Sequence, residues 1–162
     1  MDYQNKYLKY KFKYSKLKNQ TGGYISNVTS AVFYNNEIYL IQEQSGEWNL
    51  PGGEINPGED HRTASVREFI EETGGFDLDK FTSNLSNEYR KKFIKEFVYH
   101  RHTKIFLYYL EVYSKKPEIK FIKTKDNDET IDGKWFNIFD LPSPIKYPDS
   151  MSRVILKYIN DK

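Results

Sequence analysis

The chain has 162 residues and a net charge of +2, a length that suits one domain able to bury a real core. It contains no Cys, which excludes disulfides and thiolate metal sites and fits a reducing, cytoplasmic compartment. No apolar run reaches membrane-spanning length, and the N-terminus lacks the apolar stretch of a secretory signal.

The charge is unevenly spread. Residues 1–20 hold six Lys against one Asp, a local +5 that leaves −3 on the remainder. Within them Tyr3, Tyr7, Tyr10, Tyr14 and Leu17 recur at steps of four and three, widened by Leu8 and Phe12. That spacing predicts an amphipathic helix with an aromatic seam. Thr21-Gly22-Gly23 stops it, so the expected organisation is a basic helix over 1–20, a Gly-Gly linker over 21–24 and a globular domain over 25–162. Packing on its own domain, or on a second copy as a homodimer, is the leading reading of this helix. An RNA backbone or an anionic membrane surface would also suit Lys interleaved with Tyr.

Past the linker, strands are expected at 25–34 and 37–44 around an Asn35-Asn36 hairpin turn, then at 48–50, where Pro51-Gly52-Gly53 breaks the strand. A loop over 54–59 leads to a helix near 60–73, with Asp60 as N-cap and Gly74-Gly75 as the stop. Two long strands follow at 88–99 and 104–113, and a last one at 134–137 before a turn at Asp140-Leu141-Pro142. A helix at 149–159 turns Met151, Val154, Ile155, Tyr158 and Ile159 to its apolar side. The 14 Tyr and 11 Phe supply much of the core. This order predicts an α/β fold with a mixed sheet between helices.

The chemistry concentrates between Gly53 and Gly74. Glu68, Glu71 and Glu72 stand three and four apart, so a helix places them on one face. Three like charges there repel, and a hard divalent cation resolves the conflict by binding carboxylate oxygens and bridging them to phosphates. The three His lack metal-ligand spacing, which argues against zinc.

Gly53, Glu59 and the run Arg67-Glu68-Phe69-Ile70-Glu71-Glu72-Thr73-Gly74 resemble, in identity and spacing, the box of the Nudix hydrolase superfamily. Gly75 departs from the apolar residue usual after the last glycine, and Phe76 is expected to fill that core slot. The resemblance implies an α/β/α sandwich and Mg2+- or Mn2+-dependent hydrolysis of a diphosphate linkage. It implies metal ligation by Glu68, Glu71 and Glu72, helped by the Gly53 carbonyl and Glu59, with Arg67 orienting a carboxylate. The general base it implies is Glu68, or a glutamate from a loop before the last strand; Glu129 occupies such a place, with Asp128 and Asp132 as rivals and a plain solvated loop as the default.

For the substrate, Arg90, Lys92, His100, Arg101, His102 and Lys104 gather cations on two strands expected near the cleft, in the manner of a polyanion clamp. The run His100-Arg101-His102-Thr103-Lys104 is similar to diphosphoinositol polyphosphate phosphohydrolases, whereas Trp48-Asn49-Leu50-Pro51 is similar to nucleotide and RNA 5′-end pyrophosphohydrolases. A highly phosphorylated small molecule is therefore the first expectation, an RNA 5′ end or cap the second, and a non-catalytic binding or virion protein the third. The intact carboxylates argue against the third. Residues 7–18 followed by Gly22-Gly23 also resemble leaders of giant DNA virus proteins, which implies a host-cytoplasm or virus-particle address and a processing site after Gly23.

Overall fold

The computed structural model describes residues 25–85, 89–100, 103–125 and 127–161, without the side chains of Ile25, Arg90, residues 92–100 and residues 103–104. The expected basic helix, its linker and the viral-type leader lie outside the described residues.

Among the described residues, seven strands form one sheet: β1 (Ile25–Tyr34), β2 (Glu37–Glu43), β3 (Trp48–Asn49), β4 (Gly52–Glu54), β5 (Tyr89–His100), β6 (Thr103–Val112) and β7 (Thr130–Asn137). Three helices join them: α1 (His61–Thr73), α2 (Leu78–Ser83) and α3 (Pro148–Asn160). The main path runs β3-β2-β1-β6-β5, with β4 added to β1 and β7 to β2. Among the described strand ladders β1–β6 is parallel and the others are antiparallel, so the sheet is mixed as expected. Asn35 and Asn36 both take positive φ, the requirement of a tight two-residue hairpin turn.

Alternation along the strands sorts the core into two layers. Ala31, Phe33, Ile38, Leu40, Leu107 and Tyr109 face α3, where Met151, Val154, Ile155 and Tyr158 are buried. Each of those α3 side chains contributes about 1.5–3 kcal/mol relative to exposure. Tyr158 stacks on Phe33 at 4.2 Å, and its hydroxyl accepts from the Asn36 N–H at 3.1 Å. The intervening residues Val32, Tyr39, Ile41, Tyr108 and Leu110 face the other way, onto Phe69 of α1 and Leu78 of α2. The result is an α/β/α sandwich. Phe76 joins Phe69 and Phe81 in this second layer, next to the slot that Gly75 cannot fill. Trp48 and Trp135 are packing residues, against Phe136 and Tyr39 respectively.

Several expectations are corrected. The strand begun at Trp48 does end before Pro51, but Gly52 and Gly53 are not a plain break, because Gly52–Glu54 pairs with Asn27–Thr29 as β4. Helix α2 carries no long periodic signal and is set by its cap, Asp77 accepting from Asp79 and Lys80 N–H. Strand β7 begins at Thr130 rather than Lys134, since pairing with β2 extends it through a polar stretch. Ile159 is 40% exposed, because the α3 stripe is already filled by Tyr158. The turn after β7 falls over 138–140.

Helix α1 ends at Gly74, which is left-handed at φ 75° and donates to Glu71 O at 3.3 Å. A Cβ there would lie 2.8 Å from the Ile122 carbonyl carbon. Gly74→Ala therefore meets a left-handed penalty of about 1–2 kcal/mol and a backbone collision. A fall in melting temperature of at least about 4 °C is expected by thermal denaturation; an unchanged value would refute this account of the helix stop.

Candidate active site

Strand β4 fixes the first part of the site. Pro51 O accepts from the Ser30 N–H at 2.7 Å, and the Ile55 N–H donates to Ser26 O at 3.1 Å, so both ends of β4 are pinned to β1. The chain then turns at Gly58 and enters α1 through Asp60, whose carboxylate accepts from the Arg62 and Thr63 N–H groups. Ala64 and Ser65 are fully buried, and these small residues let α1 lie close to the sheet. One turn later, the helix presents its acids to β4.

Glu72 is the deepest of them. Its Oε2 accepts from the Gly52 N–H at 2.6 Å, while burial pushes its carboxyl well above the usual range, reinforced by Glu68, Glu43 and Glu129 nearby. Glu68 is also raised, chiefly by burial, with Arg67 pulling the other way. Its carboxylate rests so closely on Gly53 that an added Cβ would lie 2.5 Å from it. A side chain at position 53 would push the Glu68 carboxylate aside, whereas one at position 52 would collide with the Val28 backbone of β1.

Arg67 spends all five of its N–H donors locally. Nε and Nη2 fork onto the two Glu59 oxygens at 2.9 Å each, and Nη2 also reaches Glu54 O at 3.0 Å. Nη1 donates to Glu68 Oε1 at 2.6 Å and to Glu71 Oε2 at 3.2 Å. The guanidinium thus orients three carboxylates at once and holds the Glu59 carboxyl below its ordinary range. Among the described residues, no three acidic or histidine side chains already converge as a chelate. Glu68 and Glu71 turn instead to Arg67.

The cleft beside this cluster has a volume of about 230 Å³ and is lined by Gly52, Gly53, Glu72, Glu43 and Glu129 along its acidic part. Of the three acids weighed, Glu129 is the one in the cleft lining, while Asp132 lies within β7 and pairs with Lys134. The loop that carries Glu129 is not the plain solvated loop taken as the default. Lys123 Nζ donates to the carbonyls of Asn127, Asp128 and Thr130 at 2.5–2.8 Å. Buried Asn127 accepts from Thr124 N–H and donates to Ile122 O, and the Gln44 N–H donates to Glu129 O at 2.9 Å.

The predicted cation clamp is not brought to this site by any described contact. Arg90, Lys92 and His100 lie on the β5 backbone and Lys104 on β6, but their side chains, with all of Arg101 and His102, fall outside the described residues. What sequence reasoning missed is Glu43 at the β2 bulge and Lys146 in the loop before α3, joined at 2.5 Å. No local spacing links residues 103 positions apart.

A strand–loop–helix with three carboxylates gathered on one arginine and a fourth, Glu72, on the strand backbone, set in an α/β/α sandwich, is the architecture of a Nudix domain. The family profile described as NUDIX domain matches residues 25–158, and the chain belongs to that family. A Bacillus subtilis (strain 168) protein named "Putative 8-oxo-dGTP diphosphatase" is 59% identical over 39 residues, 24% of this chain and 26% of the relative. The matched stretch thus spans about a quarter of that relative's length. Among solved structures, a Caenorhabditis elegans Ap4A hydrolase aligns with a TM-score of 0.58 at 15% identity, covering 85% of this chain and 99% of the other. A Francisella tularensis bifunctional NMN adenylyltransferase/ADP-ribose pyrophosphatase, complexed with AMP and a manganese ion, aligns with a TM-score of 0.59 at 20% identity, over 93% and 46%. At these identities the likeness establishes the fold. No helix among the described residues is long and apolar enough to cross a membrane.

Proposed function

We propose that this chain hydrolyses a diphosphate linkage in a phosphorylated small molecule of nucleotide type, with Mg2+ or Mn2+ held by Glu68, Glu71 and Glu72, the Gly53 carbonyl and Glu59. The observation that carries the reading is Glu72, half-buried at the cleft and desolvated there yet surrounded by Glu68, Glu43 and Glu129. Such a cluster is costly as a structural device, and its all-oxygen donor set fits a hard divalent cation. Taking one requires Glu68 and Glu71 to turn part-way from Arg67, which keeps Glu59 in its fork.

The bound ion supplies charge neutralisation on phosphoryl oxygens and lowers the pKa of its water. The chain's own residues do the rest. Gly52 fixes the orientation of Glu72, so this deepest donor needs little rearrangement. Glu68, raised by burial, is the proton acceptor for the attacking water. Glu129 approaches the same cleft from the opposite side of the sequence and serves as an outer ligand.

A product-mass screen with Mg2+ over nucleoside triphosphates, dinucleoside polyphosphates, ADP-ribose, diphosphoinositol pentakisphosphate and capped RNA tests this reading. Cleavage of a nucleotide substrate that vanishes in EDTA is expected. Glu129→Gln should slow it by about tenfold to a hundredfold, the usual effect of an outer ligand, and less than Glu68→Gln. Glu129→Gln slower than Glu68→Gln would reverse the two roles, and silence over the whole panel would refute the activity.

A further inference from the structure

The carboxylate end of the cleft has a counterpart that the hydrolytic machinery leaves unexplained. The segment before α3 is laced to β3: the Trp48 N–H donates to Pro144 O at 2.9 Å, and the Lys146 N–H donates to Trp48 O at 3.0 Å. Ile145 pairs with Trp48 as an isolated parallel bridge. Strand β3 leads through Leu50-Pro51 directly into β4, so this lacing registers Lys146 and Tyr147 against the loop that carries the box. Both side chains line the cleft.

Their chemistry is specific. Lys146 is the cationic side chain among the described cleft residues, set against the carboxylates of Glu43, Glu72 and Glu129. One of its three N–H donors goes to Glu43 Oε2 at 2.5 Å, while Glu43 Oε1 accepts from Asn49 Nδ2 at 3.2 Å. The ammonium is thereby held in place with donors to spare. Tyr147 follows it, with the Lys146 ammonium 5.6 Å from its ring centre. Beyond the ring the wall is apolar: Leu107, Met151 and Val154. One described cation offers too few direct contacts for a head group crowded with phosphates, whereas an aromatic and aliphatic wall accepts a flat neutral one.

We propose that Lys146 and Tyr147 form the substrate-specificity element of this cleft. Lys146 donates to an oxygen of the phosphate that is not attacked, keeping its bond to Glu43, and the Tyr147 ring lies against an aromatic head group. The proposal rests on the hydrolase reading above and narrows its substrate class to compounds that carry a nucleobase-like ring next to the diphosphate, in place of an inositol polyphosphate.

The test uses the full chain with Mg2+, ADP-ribose as the aromatic substrate and 5-phosphoribosyl diphosphate as the one without an aromatic ring. Lys146→Met should raise KM for ADP-ribose by about tenfold to a hundredfold, the value of a charge-assisted hydrogen bond, with a much smaller effect on kcat. Lys146→Arg should recover most of that loss, which a packing role would not predict. Tyr147→Ala should raise KM for ADP-ribose at least about fivefold more than for 5-phosphoribosyl diphosphate, the margin expected of one aromatic contact. A Lys146→Met enzyme with wild-type KM, or a Tyr147→Ala enzyme impaired equally on both substrates, would overturn the proposal. If the wild type turns over neither compound, calorimetric binding of ADP-ribose decides separately. Binding that Lys146→Met weakens at least about tenfold upholds the specificity element although the hydrolase reading fails; absent or unaltered binding refutes it.

Discussion

Glu72→Gln is expected to cut turnover by at least about a hundredfold, since a metal-ligand contact supplies several kcal/mol and each 1.4 kcal/mol is a factor of ten. The same change is expected to stabilise the metal-free protein at neutral pH. The amide is nearly isosteric, and its carbonyl oxygen can still accept from the Gly52 N–H that now reaches Glu72 Oε2. What disappears is a buried charge. Because the folded-state value of Glu72 lies well above the ordinary 4.5, its protonated form is the one the fold favours. That contribution is fully present below pH 4.5 and is lost as the pH rises through the folded value. In EDTA the melting-temperature advantage of Glu72→Gln over wild type should therefore widen from pH 4.5 to 8. Parallel curves would mean that Glu72 is not the desolvated, repelled carboxylate described above. Added Mg2+ should reverse the order, stabilising the wild type more than the variant.

This separation of activity from stability depends on a site that was partly legible before any coordinates. The spacing of Glu68, Glu71 and Glu72 is local, and a helix converts it into a face by its own period. Asp60 as cap, Gly74 as stop and Asn35-Asn36 as turn are likewise local, and each stands where its backbone chemistry places it. The residues that close the cleft are another matter. Glu43 meets Lys146 through the β2 bulge and the lacing of the 143–147 segment to β3, contacts that arise only once the sheet exists. Glu129 could be singled out by its place before β7, but the Lys123 ammonium that gathers its loop carries no sequence signature. Strand β4 is hidden in the sequence because two glycines signal a break, whereas the close approach of Gly52 to the Val28 backbone of β1 needs glycine inside a strand.

Arg67→Met is expected to be the most destabilising change at the site, and its rescue separates two roles of the arginine. Without the guanidinium, Glu59, Glu68 and Glu71 lose every charge-assisted bond it gives them, and the Glu54 carbonyl loses its donor. Breaking a buried pair costs about 3–5 kcal/mol. Here Arg67 is 26% exposed and Glu71 38%, so roughly 2–4 kcal/mol is the fitting range. For a domain of this size that lowers the melting temperature by about 5–15 °C in EDTA. Arg67→Lys should fall between, because a single ammonium cannot reproduce a fork on Glu59 and a second contact to Glu68. The deciding measurement is the Mg2+-induced rise in melting temperature. If Arg67 serves mainly as the counter-charge of a metal-free cluster, Mg2+ replaces it and raises Arg67→Met more than wild type, while activity returns only in part. If Arg67 mainly shapes the ligand geometry, Mg2+ binds the variant weakly and the rise is smaller than in wild type. The first outcome is expected, because Glu72 and its Gly52 bond, which anchor the deepest ligand, do not depend on Arg67.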